Sequence, residues 1–218
     1  MSDHALREEI VACARDLDAS RLNRGSSGNI SARMGDAILI TPSGVPPPEL
    51  EPSMLARMPL DRDDGHWEGP LKPSTEWRFH LDLMRARPEF NAIVHTHAPF
   101  STILSIARKP IPAIHYMMAA FGGPDIRCSG YACYGTSALS EEVVAAMQGR
   151  SGCLMANHGM IVGGPSVARA NWLAHELEAL AHQYFHVLQI GGGHVLSDAD
   201  LAETAEGFAT YGVTDRKD

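Results

Sequence analysis

Leu6, Ile10, Ala14 and Leu17 recur at three- and four-residue intervals. That spacing lines one face of a helix, so residues 5–22 are predicted helical. Beyond the permissive Gly25-Ser-Ser-Gly28 loop the period changes. Residues 29–33 and 37–41 read as two strands joined by a turn at Gly35-Asp36. Thr41-Pro-Ser-Gly44 makes a further turn, the prolines at 46–48 stiffen the adjoining segment, and the polar stretch 61–69 reads as a surface hairpin or loop. Pro73-Ser-Thr-Glu-Trp77 resembles a helix start, with Ser74 or Thr75 as N-cap and Glu76 in the first turn. This helix is expected to end near Pro88. A buried apolar strand comes next at 92–97, then a helix over 101–107. In the second half, 137–148 and 166–190 read as helices, the latter stopped by Gly191-Gly-Gly193. Residues 153–156 and 160–162 read as strands around an Asn157-His158-Gly159 turn, and a last helix is expected over 198–208. Strands mixed with helices, without a repeat or linker, predict one α/β layered domain over residues 1–218.

The 218 residues suffice for a substantial core. A formal net charge of −8 lacks the basic footprint of a nucleic-acid binder. Cys13, Cys128, Cys133 and Cys153 are scattered without a C-x-x-C pair and read as reduced thiols. No signal-peptide pattern and no membrane-length apolar run is evident, so a cytoplasmic location without membrane partners is expected.

The chemistry concentrates in Ala92-Ile-Val-His-Thr-His-Ala98. Alternation along a strand sends His95 and His97 to one side. Their imidazoles can converge on a divalent metal, and His158 in Asn157-His-Gly159 offers a third ligand. Three imidazoles leave positions open for water or substrate, as in catalytic zinc sites. A His-x-His pair is also what two unrelated polar residues at a strand end look like. Gly25-Ser-Ser-Gly-Asn29, Thr41-Pro-Ser-Gly44 and Pro73-Ser-Thr75 each offer hydroxyls and turn N–H groups. The third sits at a helix N-terminus, so together they suit a phosphate without lysine or arginine; singly, each is an ordinary turn. Glu76 beside them is the candidate acid/base, or simply a first-turn glutamate favoured by the helix dipole. His175, His182 and His186 read as helix-surface or satisfied core residues, since no H-E-x-x-H pattern is present.

Gly28-Asn-Ile-Ser31, Thr41-Pro-Ser-Gly44, Ser74-Thr-Glu-Trp-Arg-Phe-His80, His95-Thr-His97 and Asn157-His-Gly159 occur in this order. Together they resemble the class II aldolase/adducin family along nearly the whole chain. The resemblance implies an α/β/α layered sandwich with a mostly antiparallel central sheet. It implies zinc (with Mn2+, Co2+ or Fe2+ as alternatives) held by His95, His97 and His158, and Glu76 as acid/base. It assigns substrate phosphate to Gly28, Asn29, Ser43, Gly44, Ser74 and Thr75. It implies a homotetramer with active sites at subunit interfaces, where Tyr116 and Tyr211 reach a neighbour's site. The activity implied is reversible cleavage of a ketose 1-phosphate to dihydroxyacetone phosphate and an aldehyde. L-fuculose, 5-deoxyribulose and 5-methylthioribulose 1-phosphates are the candidates, with a metal Lewis acid stabilising the enediolate. Epimerase, dehydratase and decarboxylase relatives, and an adducin-like assembly domain, are the alternatives. The chain departs from the family pattern at Tyr134, where phenylalanine is expected, and in the loop 61–70.

Overall fold

A computed structural model describes residues 2–210. Its elements run α1 (Asp3–Ala19), β1 (Asn29–Met34), β2 (Ala37–Ile40), β3 (Ala56–Pro59), α2 (Trp77–Ala86), β4 (Ala92–Thr96), α3 (Pro99–Ile106), β5 (Ile111–Pro112), β6 (Asp125–Ile126), α4 (Ser137–Ala146), β7 (Gly152–Met155), β8 (Gly159–Gly164), α5 (Val167–Gln189) and α6 (Asp198–Thr210). Short 3-10 turns lie at Pro47–Glu49, Pro52–Met54 and Tyr116–Phe121. Six strands form one sheet in the order β3-β2-β1-β4-β8-β7. Every neighbouring pair in it is antiparallel.

Alternation along each strand feeds two cores. Ala92 and Val94 of β4, with Met160 and Val162 of β8, join a cluster with Ile10 and Leu17 of α1, Leu104 of α3 and Leu173 and Leu177 of α5. Ile93 and Ile161 point the other way, to Phe79, Leu81 and Leu83 of α2 and Leu139 and Val143 of α4. Helices thus cover both faces, which gives the expected α/β/α layering. Among the described residues no helix is long and apolar enough to cross a membrane.

Several boundaries differ from the periodicity. Helix α1 stops at Ala19 because Arg21 turns left-handed (φ 65) and the Leu22 N–H folds back onto the Leu17 carbonyl at 2.9 Å. Helix α2 begins at Trp77, so its N-cap is Glu76 and not Ser74 or Thr75, and Glu76 stands outside the first turn. Its backbone is outside the helical region (φ −98, ψ 15) and its side chain caps nothing. Strand β3 has no counterpart in the sequence pattern; four residues are too few for a periodic signal, and pairing with β2 supplies the order. The polar loop after β3 returns to it, with Arg57 and Glu68 exchanging both backbone hydrogen bonds at 2.8 Å.

The β7–β8 turn sets the end of the sheet that matters most. Asn157 is left-handed (φ 55), a conformation asparagine tolerates better than most residues. Its N–H donates to the Ser105 carbonyl at 3.0 Å and its Oδ1 accepts from Arg108 Nε at 3.0 Å, so α3 anchors the turn carrying His158. Gly159 is required because β4 is too close for a side chain: a Cβ there would lie 2.4 Å from the Thr96 carbonyl oxygen. Gly159→Ala is expected to destabilise the protein by about 1–3 kcal/mol through overpacking, read as a lowered denaturation midpoint at unchanged slope. Wild-type stability would refute this account of the turn.

Candidate active site

His95 is the last inward position of β4, fully buried and on the α2 side of the sheet with Ile93. Its Nδ1 lies 2.8 Å from the Met160 carbonyl. A carbonyl only accepts, so Nδ1 carries the proton and Nε2 is a bare lone pair. That lone pair faces His97 Nε2 at 3.1 Å. His97 lies just beyond the strand, yet its ring still turns to the same side. His158 completes a triangle in which all three ring centroids are 4.9 Å apart. The ligand atoms of the three lie within 4.8 Å of one another, the one such group of histidine, cysteine or acidic residues among the described residues.

Glu76 reaches the same point from the start of α2. Its Oε1 is 3.1 Å from His158 Nε2 and its Oε2 is 3.4 Å from His95 Nε2. The His158 approach lacks hydrogen-bond geometry, so Oε1 is buried without a partner. Oε2 accepts from Asn29 Nδ2 at 2.9 Å. Burial raises the carboxyl pKa, whereas the Asn29 amide and any proton carried by the His95 or His158 imidazole toward it lower it, for a net downward shift. Burial also holds His95 down to about 3 and lowers His97, so both imidazoles are neutral, the form that binds metal.

These features fit a divalent cation. Nitrogens 2.0–2.1 Å from a tetrahedral zinc lie roughly 3.3 Å apart, close to the His95–His97 spacing. A bare lone pair and an orphaned carboxylate oxygen aimed at one point are what a cation would satisfy. His95 also has its second nitrogen fixed by a carbonyl, as metal-binding histidines generally do.

The three loops come together beside this cluster. The Thr41 N–H donates to the Ile30 carbonyl, and the Ile30 N–H to Thr41 Oγ1 at 3.1 Å. Ser43 N–H bonds the Lys72 carbonyl, and Ser74 N–H bonds the Thr41 carbonyl. The loops bearing Asn29, Ser43 and Ser74 are thereby stitched into one rim. Gly28 and Gly44 both take positive φ there (78 and 76), which a side chain would strain. Ser74 Oγ accepts from the Glu76 N–H at 3.3 Å. A cavity of about 400 Å³ is lined by Thr75, Glu76, His97, Asn157, His158, Tyr131, Ala132 and Tyr134.

Tyr116 is not part of it. Half exposed, it lines another cavity with Met117, Arg169, Trp172 and Phe208. Tyr211 lies outside the described residues. His175 pairs with Asp16 at 2.9 Å, and His182 stacks on Phe100 at 3.8 Å. Neither belongs to the cluster.

Three contributors are not singled out from the sequence as site residues, although His80 closes the Ser74–His80 motif. Asn23 Oδ1 accepts from the His97 N–H at 3.3 Å. Glu178 of α5 caps α3 through the N–H groups of Phe100 and Ser101 at 2.7 and 2.9 Å, fixing the chain just after His97. His80 lies fully buried under Asn29. Only His80 carries a local signal: it stands four residues after Glu76, one helical turn.

The chain matches the class II aldolase and adducin N-terminal domain over residues 8–185. It is 47% identical over 208 residues to a 5-methylthioribulose-1-phosphate/5-deoxyribulose-1-phosphate aldolase from Rhodospirillum rubrum, covering 95% of this chain and 93% of that protein. It is 43% identical over 214 residues to an L-fuculose phosphate aldolase from Escherichia coli O6:H1, covering 98% of each. A solved L-fuculose 1-phosphate aldolase superposes with a TM-score of 0.89 at 33% identity, covering 94% of this chain and 96% of that one. On that agreement of sequence and fold, the chain belongs to the class II aldolase and adducin family.

Proposed function

We propose that this class II aldolase reversibly cleaves a ketose 1-phosphate to dihydroxyacetone phosphate and an aldehyde, with a divalent metal on His95, His97 and His158 and Glu76 as acid/base. The observation that carries this is the partnerless Glu76 Oε1, buried beside three converging imidazoles and under a rim of anion-type loops. The names of the relatives support it: L-fuculose, 5-deoxyribulose and 5-methylthioribulose phosphates are all ketose phosphates.

Zinc, or Mn2+, Co2+ or Fe2+ in its place, would supply Lewis acidity toward the substrate oxygens. The protein's own groups do the rest. Gly28, Asn29, Ser43, Gly44, Ser74 and Thr75 hold the phosphate through N–H groups and hydroxyls, which fixes the carbon chain relative to Glu76. Asn29 Nδ2 has two hydrogens, and Glu76 takes one, so the other is available to an anion. In cleavage the C4 hydroxyl gives up its proton as the C3–C4 bond breaks and Glu76 Oε1 delivers one to C3; in the synthetic direction Oε1 removes the C3 proton and the new C4 oxygen is protonated. With Oε2 already held by Asn29, Oε1 is the oxygen that faces the reacting centre.

Tyr134 and Tyr131 are exposed on the wall of the cavity, and we assign them to the side of the departing aldehyde. Within one chain Tyr116 lines a different cavity from Glu76, so its proposed role at the aldehyde end would be played in a second copy. We therefore assign Tyr116 to a neighbour's site in a homotetramer; Tyr211, assigned the same role, lies outside the described residues.

Chelator treatment is expected to abolish release of dihydroxyacetone phosphate from L-fuculose 1-phosphate and 5-deoxy-D-ribulose 1-phosphate assayed in parallel, and added zinc to restore it. Cleavage by metal-free protein would sink the metal assignment, and an epimer without triose phosphate would overturn the reaction. Glu76→Gln should keep the metal and lose about 10²-fold or more in kcat. His97→Ala should lose metal and turnover together, as elemental analysis and rates on each variant will tell.

A further inference from the structure

A hydrogen-bonded chain of side chains runs beneath Glu76, away from the metal cluster. Ser31 Oγ lies 2.8 Å from His80 Nδ1, His80 Nε2 lies 2.6 Å from Asn29 Oδ1, and Asn29 Nδ2 lies 2.9 Å from Glu76 Oε2. All four residues are buried, Ser31 and His80 completely. Two come from one face of β1, one is the N-cap of α2 and one lies in its first turn, so the chain ties the central sheet to the covering helix.

Its protons have one consistent arrangement. A carboxylate oxygen accepts, so Asn29 must turn its NH2 toward Glu76 and its carbonyl toward His80. His80 must then carry its proton on Nε2, which leaves Nδ1 to accept from the Ser31 hydroxyl. The other tautomer would draw the Asn29 NH2 to His80 and set Oδ1 against Oε2, two acceptors facing each other. Burial holds the His80 pKa down to about 3, so the ring is neutral with the single N–H this arrangement needs.

We infer that His80 is a positioning residue for Glu76: its Nε2–H locks the Asn29 amide, which holds Oε2 and leaves Oε1 as the proton-transfer atom. This rests on the reading of Glu76 as acid/base. Asn29, read from the sequence as a phosphate contact, therefore also orients the carboxylate.

Two measurements test this. Long-range 15N–1H spectra of histidine-labelled wild-type protein report the His80 tautomer directly. Neutral Nε2–H supports the inference, and Nδ1–H overturns it, whatever happens to any variant. Kinetics on folded variants supply the second arm. Gln places an amide N–H near the position of Nε2, whereas Leu removes both nitrogens. His80→Leu is expected to lose about 10–100-fold in kcat with KM changed little, because misplacing a reacting group is costly even when binding persists. His80→Gln is expected to recover most of that loss, and both should retain one metal per chain. Equal impairment in the two variants, or wild-type kcat in His80→Leu beside an inactive Glu76→Gln, would overturn the positioning role. Full activity in Glu76→Gln would instead overturn the acid/base reading beneath it.

Discussion

The site depends on the pairing of β4 between β1 and β8. That pairing sets His95 opposite Asn29 on one side and Ile161 on the other. Because β4 is buried along its whole length, a histidine at its end must satisfy both ring nitrogens without water. The Met160 carbonyl takes one of them, and the tautomer, the ring plane and the direction of the remaining lone pair follow. The same register brings the β7–β8 turn, and with it His158, alongside the end of β4.

Around that fixed point the protein accumulates groups that would otherwise repel. Three imidazoles at 4.9 Å and a carboxylate that keeps one oxygen without a donor form an unfavourable assembly in the absence of a cation. Buried polar groups left unpaired in a low dielectric cost free energy, and such costs concentrate at functional sites. The remaining oxygen of Glu76 is treated in the opposite way: it accepts from Asn29, the end of a chain reaching back through His80 to Ser31. One oxygen is held and the other is left for chemistry, an asymmetry suited to proton transfer.

Groups farther from the cluster fix the chain at and just after His97 and just before His158. Glu178 anchors α3 just after His97, Asn23 receives its N–H, and Arg108 and Ser105 hold the turn before His158. These residues stand far from the histidines in sequence, from Asn23 to Glu178, so the site's rigidity belongs to the packed layers as a whole.

The sequence alone determined the helices and longer strands, since their apolar periods are long enough to exceed local noise, and the ordered motifs identified His95, His97, His158 and Glu76. The segments bearing Asn29, Ser43 and Ser74 were legible as turns, and only the fold joins them into one rim. Tertiary structure decided what local pattern does not encode. β3 exists because β2 pairs with it, and α2 starts at Trp77 because Glu76 is drawn into the site and not into its helix. Ser31 and His80 close two of the ordered motifs, but nothing in those motifs gives their contacts; these form only when β1 and α2 meet and bring them to each other and to Asn29. Tyr116 shows the limit from the other side: its motif marked it, yet a single fold places it in a different cavity from Glu76. Hydrogen-bond partners are set by packing between elements distant in sequence, and that information resides in the assembled layers.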